Sequence, residues 1–461
     1  MRQNVLAVAL LLALLLVPGS PARAKMFDAE QFTLANGLEV VVLPNHRAPI
    51  VTQMVWYKAG AADEPRGKTG IAHFLEHLMF RGTRETPPGA FSRIVAENGG
   101  RDNAFTTHDY TAFFQNVAAD RLELVMKLEA ERMSDLVISD AVVLPERKVI
   151  IEERHMRIDN NPSALLNEQV DAALYLNQRY HDPVIGWERE MRELTTADAA
   201  AFYGTWYAPN NAVLVIVGDI QTPDAKKLIE QYFGDIPSQP QPKRPDLTEP
   251  AGFQAVTKVQ KDPLARVPGV VLGYQGPKRR SPDYYALNMI DAILTGGDSS
   301  RIRQDLVKGK QSVIQYEANL GWPFASTLDY RDPEPYAMFM LYNPTFTAKQ
   351  IVDQVQEEIA KLQNTPVEAK ELERVKTMLR SNAIQAMQGS LSRARTLAQY
   401  AVADGNPELI NTELDAMLAV TPAQIQAAAK KYLTPERRAV MEIAPAPNAQ
   451  PGAGGPQKEG K

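Results

Sequence analysis

The chain contains no cysteine, which rules out disulfides and a lipid-modified cysteine. It also lacks any excess of positive charge. With 50 Lys and Arg against 55 Asp and Glu the formal net charge is −5, and nothing argues for a nucleic acid or an anionic membrane surface as partner. Past the N-terminus it lacks an apolar run long enough to cross a bilayer. At the N-terminus the apolar run Val5 to Val17, too short for a comfortable span, follows Arg2 and is broken by Pro18, Gly19 and Pro21. Ala22-Arg23-Ala24 then offers a small-x-small cleavage site. Residues 1–24 read as a secretory signal peptide, the alternative being a short N-terminal anchor. A secreted chain of 461 residues without disulfides suits a bacterial periplasm, with no membrane insertion once the leader is removed. A hydrophobic fraction of 44% and a charged fraction of 23% are ordinary for a soluble globular protein.

The stretch that carries chemistry is Ile71-Ala72-His73-Phe74-Leu75-Glu76-His77-Leu78-Met79-Phe80. Its flanks are apolar and it has no internal Gly or Pro, so it reads as a helix. Residues four apart share a helix face, which lets His73 and His77 aim two imidazoles at one ion. Glu76 lies on the edge of that face, placed to take a proton from an activated water without being a ligand. Two His ligands, a third ligand elsewhere and a carboxylate base make a hydrolytic zinc site, in the inverted order His-x-x-Glu-His. The alternative is a core helix with two satisfied histidines and a capping glutamate. In a chain with six histidines a chance match arises roughly once in two hundred sequences.

Along the chain, Phe32 to Leu43 reads as a hairpin about Asn36-Gly37 with a type I′ turn, and Ile50 to Ala59 as a further strand. A short helix ends at Gly99-Gly100. Arg101–Thr106 and Tyr110–Val117 read as paired strands, and 120–136 as an amphipathic helix. Asp140 to Ile158 reads as a long helix with Asp140 as N-cap and Asn160-Asn161-Pro162 as its stop. It presents Glu146, Glu152 and Glu153 as candidates for the third ligand. Five prolines between Ile236 and Pro250 mark a linker. The second half repeats the plan, with helices at Pro282–Leu294, Ala348–Leu362 and Val367–Met387 and strands near Val313–Leu320 and Tyr336–Leu341. Thr196 to Tyr207 followed by a strand is echoed by Thr421 to Tyr432 followed by Ala439–Ile443, which suggests two homologous domains. The division is a leader (1–24), a metal-binding domain (25–236), a linker (237–250), a homologous domain without the motif (251–444) and a disordered tail (445–461). The fold class is α+β, each domain an antiparallel-rich sheet with helices packed on one face.

Several segments together resemble the pitrilysin/insulinase family of zinc peptidases, nearest its two-domain branch with the mitochondrial processing peptidase and its bacterial relatives. They are Gly70 to Thr83, Asn98-Gly99-Gly100, Asn103-Ala104-Phe105-Thr106, Glu152-Glu153-Arg154 and Pro183-Val184-Ile185-Gly186, and the likeness spans about residues 30–445. The resemblance implies one Zn²⁺ per chain held by His73, His77 and Glu153, the last 76 positions after the second histidine. It implies Glu76 as general base, Glu146 as the carboxylate that orients a ligand, and Asn103, Ala104, Phe105 and Thr106 as the strand that pairs with substrate main chain. Glu152 is then solvated, and His46, His108, His155 and His181 are structural. The family's second domain donates an Arg and a Tyr seven apart. Here Tyr316 matches the tyrosine, but Gly309 stands at the arginine position and Arg301 and Arg303 are out of register. The expected function is a periplasmic zinc metalloendopeptidase acting on peptides or unfolded segments, as a dimer, with a heterodimer completed by a homologue that carries the Arg/Tyr pair. The rivals are a non-catalytic binding or assembly subunit on the same fold and a simple metal-binding protein.

Overall fold

The computed structural model describes residues 25–177, 179–244, 247–250, 253–321 and 328–446. The expected leader and residues 447–461 of the expected tail lie outside them. The first half runs β1 (Glu30–Thr33), β2 (Glu39–Pro44), β3 (Ile50–Tyr57), α1 (Ile71–Leu78), α2 (Ala90–Glu97), β4 (Arg101–Thr106), β5 (Thr111–Ala118), α3 (Leu122–Ser134), α4 (Asp140–Arg154), α5 (Pro162–Leu174), α6 (Glu188–Glu193), α7 (Thr196–Trp206), β6 (Ala212–Gly218) and α8 (Thr222–Phe233). The second runs β7 (Val256–Asp262), β8 (Gly269–Gln275), α9 (Pro282–Leu294), β9 (Val313–Leu320), β10 (Pro335–Tyr342), α10 (Ala348–Asn364), α11 (Ala369–Ala386), α12 (Ser390–Asp404), α13 (Glu413–Leu418), α14 (Pro422–Tyr432) and β11 (Arg438–Pro445).

The two sheets have the same wiring. Their strand orders are β1-β2-β6-β3-β5-β4 and β7-β11-β8-β10-β9. In each, one parallel pair (β2 with β6, β7 with β11) adjoins an otherwise antiparallel run. Removing β1 superposes the orders strand for strand, with β4 equivalent to β9 and α1 to α9. The echo at the two endings is also real, but its register moves by one residue. The N-caps are Thr195 and Thr421, each in a capping box with Asp198 and Gln424 respectively. Thr196 is the first helical residue and not the cap.

Each sheet is buried on both faces. Val40, Val42, Val55, Leu214 and Ile216 pack beneath α1, α3, α7 and α8 of their own half. The opposite face, with Val41, Met54, Trp56, Val213 and Val215, is covered by Ala394, Leu397, Ala398 and Ala401 of α12, from the second half. The exchange is reciprocal. Leu166, Val170 and Leu174 of α5 cover Val271, Phe339, Met441 and Ile443 of the second sheet. A Cβ at Gly273 would lie 2.5 Å from Val170 Cγ1, so the missing side chain admits α5.

Three local expectations change. The Asn36-Gly37 hairpin has a wider loop than a two-residue type I′ turn. Gly37 N donates to Leu34 O (3.0 Å) and Leu34 N to Leu38 O (2.9 Å), with Gly37 at φ +88°. Asn36 instead donates to Phe233 O (2.7 Å) and Ile236 O (2.9 Å), tying the turn to the end of α8. The N-cap of α4 is Ser139, and Asp140 is its first residue. Asn161 caps the next helix by accepting from Ser163 N and Ala164 N. Pro445 closes β11, and Ala446 N donates to Asp262 O (3.0 Å), so the ordered chain runs past the expected start of the tail.

Candidate metal centre

Helix α1 starts at Gly70, which adopts φ +86° and has no side chain to cap the helix. The carboxylate of Glu64 does that work from the preceding loop. It accepts from Gly70 N (3.0 Å) and Ala72 N (2.9 Å), satisfying donors that the first turn leaves free. Glu190 of α6 accepts from Thr69 N (3.0 Å) and Thr69 Oγ1 (2.9 Å). The Pro183–Gly186 segment matters because two backbones cross here: a Cβ on Gly186 would lie 2.6 Å from Gly70 Cα.

From this fixed start, His73 and His77 project one turn apart, their ring centroids 4.8 Å apart. Helix α4 brings Glu153 to them. Glu153 Oε2 lies 3.7 Å from His73 Nε2 and 3.1 Å from His77 Nε2. Ligand atoms in tetrahedral zinc sites stand about 3.3 Å apart, given bonds of about 2.0–2.1 Å, and the two distances from Glu153 fall on either side of that spacing. His73 Nδ1 is buried without a partner, and burial, followed by the neighbouring His77, pushes its pKa down to about 4. A neutral imidazole is the ligand form. At His77 burial lowers the pKa, but the hydrogen bonds to Glu146 and Glu153 prevail and lift it to about 9. In the absence of metal charge this ring keeps a proton whose place a dication takes. Glu153 is held at about 2, chiefly by its hydrogen bond to His77.

Glu146, two turns before Glu153 on α4, accepts from His77 Nδ1 (2.8 Å), and Arg81 Nε lies 2.6 Å from its other oxygen. This carboxylate–histidine pairing fixes the ring's tautomer and direction. Glu76 stands beside the ligands and accepts from Thr106 Oγ1 (2.6 Å). Burial raises its pKa against that hydrogen bond. Glu152 is 71% exposed and points away. A second grouping, His155, Asp159 and Glu188, also brings three ligand atoms together. Its acids are already paired, Asp159 with Arg154 (3.3 Å) and Glu188 with Arg192 (2.9 Å).

The centre opens into a cavity of about 1100 Å³. Asn103, Ala104, Phe105 and Thr106 of β4 line it, and among the described residues β4 is the last strand of its sheet, with one edge unpaired. The second half contributes Glu317 and Tyr330 to the lining. Tyr316 is a correction. Its hydroxyl donates to Thr295 O (3.3 Å) and bonds Ser300 Oγ (3.1 Å), and its ring packs on the core of its own half. Neighbours on a strand face opposite ways, so Glu317 takes the cavity and Tyr316 is turned from it. Arg301 pairs with Glu371 (2.7 Å) and Arg303 with Asp298 (3.6 Å). The residues that sequence reasoning missed are Glu64, Glu317, Tyr330 and Arg157. Only Arg157 left a signal, standing four residues after Glu153, the spacing of a helical ion pair.

Among the described residues no helix is long and apolar enough to cross a membrane. Residues 39–187 match the model of the insulinase family (peptidase family M16), and residues 193–379 match that of the peptidase M16 inactive domain. The zinc protease PqqE of Helicobacter pylori is 30% identical, over 81% of this chain and 83% of its own. The beta subunit of the mitochondrial-processing peptidase of Lentinula edodes is 23% identical over 87% and 86%. Among solved structures, a protease from Helicobacter pylori superposes with a TM-score of 0.85 at 27% identity, covering 91% of this chain and all of that one. The first half of the periplasmic protease PqqL from Escherichia coli gives 0.75 at 21%, covering 92% and 94%. With both halves matched in order, and with this two-sheet fold, the chain belongs to peptidase family M16.

Proposed function

We propose that this chain is a zinc metalloendopeptidase that hydrolyses peptides or unfolded segments in the periplasm. The observation that carries the reading is the convergence of His73, His77 and Glu153 on one point, with Glu76 beside them and held by Thr106. His73 Nε2, His77 Nε2 and a Glu153 oxygen would hold the ion. When bound, zinc supplies a Lewis acid and a water acidic enough to ionise near neutral pH. An extended peptide adds to the free edge of β4, whose main chain gives affinity with little sequence demand. Glu76 takes the water's proton on a carboxylate oxygen and returns it to the leaving amine. Glu146 holds the His77 tautomer throughout. The periplasmic assignment rests on the leader pattern of residues 1–24 and the absence of cysteine. The functional units are taken as 25–236 and 251–444, joined by 237–250. The direct test is to purify the mature chain, measure bound zinc and assay a quenched fluorescent peptide library. Zinc-loaded protein that cleaves nothing, alone or with a partner, ends this reading.

The working form is a dimer. Tyr316 and Arg301 do not line the cavity, so full activity comes from a heterodimer with a homologue that lacks His-x-x-Glu-His and carries Arg and Tyr seven apart. Co-expression with such a homologue should raise both the mass in solution and the cleavage rate. Full activity from this chain alone, with no gain on mixing, overturns the heterodimer. The same observation favours a second reading, a non-catalytic subunit, which predicts zinc without cleavage under every pairing.

A further inference from the structure

We propose that Arg157 is a catalytic residue of this chain. Its guanidinium holds the carboxylate of Glu153 on one side and donates to the oxyanion of the scissile carbonyl on the other. The inference rests on the peptidase reading. Attack on an amide carbonyl puts negative charge on its oxygen, and one donor aimed there is worth about 10²–10³ in rate. Among the described residues the second half brings no cation to the cavity lining, to which it contributes Glu317 and Tyr330.

Two arginines do line the cavity, Arg81 and Arg157. Arg81 is spent on Glu146, the partner of His77. Arg157 stands differently. Helix α4 widens into a π-turn at His155–Asp159, an irregularity frequent at functional sites. The turn carries Arg157 over the ligand carboxylate. Its Nε lies 2.9 Å from Glu153 Oε1, while the other oxygen, Oε2, faces both imidazoles. The two functions of that carboxylate are thereby split, one oxygen for the metal and one for the arginine. The side chain is 71% exposed. Among the described residues Glu153 is the one carboxylate that pairs with it, so the rest of its fork is open to a ligand. A guanidinium stays charged at any working pH and presents its donors in a rigid plane. It can hold Glu153 through Nε and still direct an Nη proton at a substrate oxygen.

The test uses the zinc-loaded chain, with R157Q and R157K beside it. Three quantities are read: zinc per chain, kcat and KM on a quenched fluorescent peptide, and the affinity for a phosphinic peptide, whose tetrahedral anion mimics the transition state. Peptide binding without turnover is measured in an E76Q background. R157Q should keep zinc and lose ~10²–10³ in kcat with KM changed by less than ~3-fold. It should weaken the phosphinic peptide by a similar factor while leaving the uncleaved peptide's binding unchanged. R157K should recover part of both losses. Equal weakening of substrate and phosphinic peptide overturns the inference, as does an unchanged kcat, or zinc lost from R157Q as fully as from E153A. A loss confined to peptides with a free C-terminal carboxylate, absent from their amidated forms, also overturns it, because Arg157 would then read a chain end. If zinc-loaded wild type neither cleaves a peptide nor binds the phosphinic one, with or without a partner chain, the peptidase reading falls and this inference with it.

Discussion

Two adjacent glutamates on α4 show how strongly the backbone discriminates between like residues. Glu153 points inward to both imidazoles, whereas Glu152 is 71% exposed beside His155. Replacing Glu153 by Ala should strip zinc from the protein, and Glu152→Ala should leave it. Metal analysis of the two variants decides the matter, and equal zinc in both removes the assignment. Glu76 poses the complementary case. It adjoins the ligands, yet its carboxylate is held by Thr106. Glu76→Gln preserves shape and cannot accept the proton, so it should retain zinc and lose at least ~10² in rate. A zinc-loaded, active E76Q enzyme would sink that role.

At the scale of elements, the centre depends on how α1 is launched. Gly70 has no capping group of its own, and Glu64 supplies two acceptors to its first turn from a buried position. Glu64→Ala leaves those donors unmet and should cost about 2 kcal/mol of stability. Urea unfolding measures this, and weaker zinc binding should accompany it because both histidines ride on the same helix. Such support is what the sequence does not disclose. His73, Glu76 and His77 are legible because helical period alone places them together. Glu146 and Glu153 are picked from the three glutamates of their helix by the family resemblance, and their seven-residue spacing fits one helix face. Glu64 reaches α1 across an irregular loop, where no period applies. Tyr316 was misplaced for a related reason: strand alternation says that it and Glu317 face opposite ways, but which face meets the cavity is fixed by how the two sheets sit. The wide turn at Asn36-Gly37 is a smaller instance, where the bonds of Asn36 to the end of α8 selected among turns that local sequence permits.

The whole molecule is held by exchange, with α12 under the first sheet and α5 under the second. Polar groups finish the seam. Arg331 lies between Asp63 (3.5 Å) and Asp109 (3.3 Å), and Tyr110 bonds Asp329. Within the seam His108 is buried against the rings of Tyr180 and Tyr330, and its Nε2 donates to Asp182 O (2.9 Å). Burial pushes its pKa down to about 4, the carbonyl and carboxylate of Asp182 opposing and the nearby His181 and Arg179 assisting. The sign of the stability change follows. Above an unfolded pKa of about 6.5 the ring is neutral in both states and contributes no slope. Between there and about 4 the unfolded chain takes up a proton that the folded chain refuses, so stability falls as pH falls. The slope approaches about 1.4 kcal/mol per pH unit and the total reaches roughly 3 kcal/mol. His108→Gln retains an N–H donor and removes the titration. Its urea midpoint should therefore drop less between pH 6.5 and pH 5 than that of the wild type, while the two proteins run parallel between pH 7 and pH 8. Identical acid slopes in the two proteins would show that His108 titrates normally, and that the seam admits water at neutral pH.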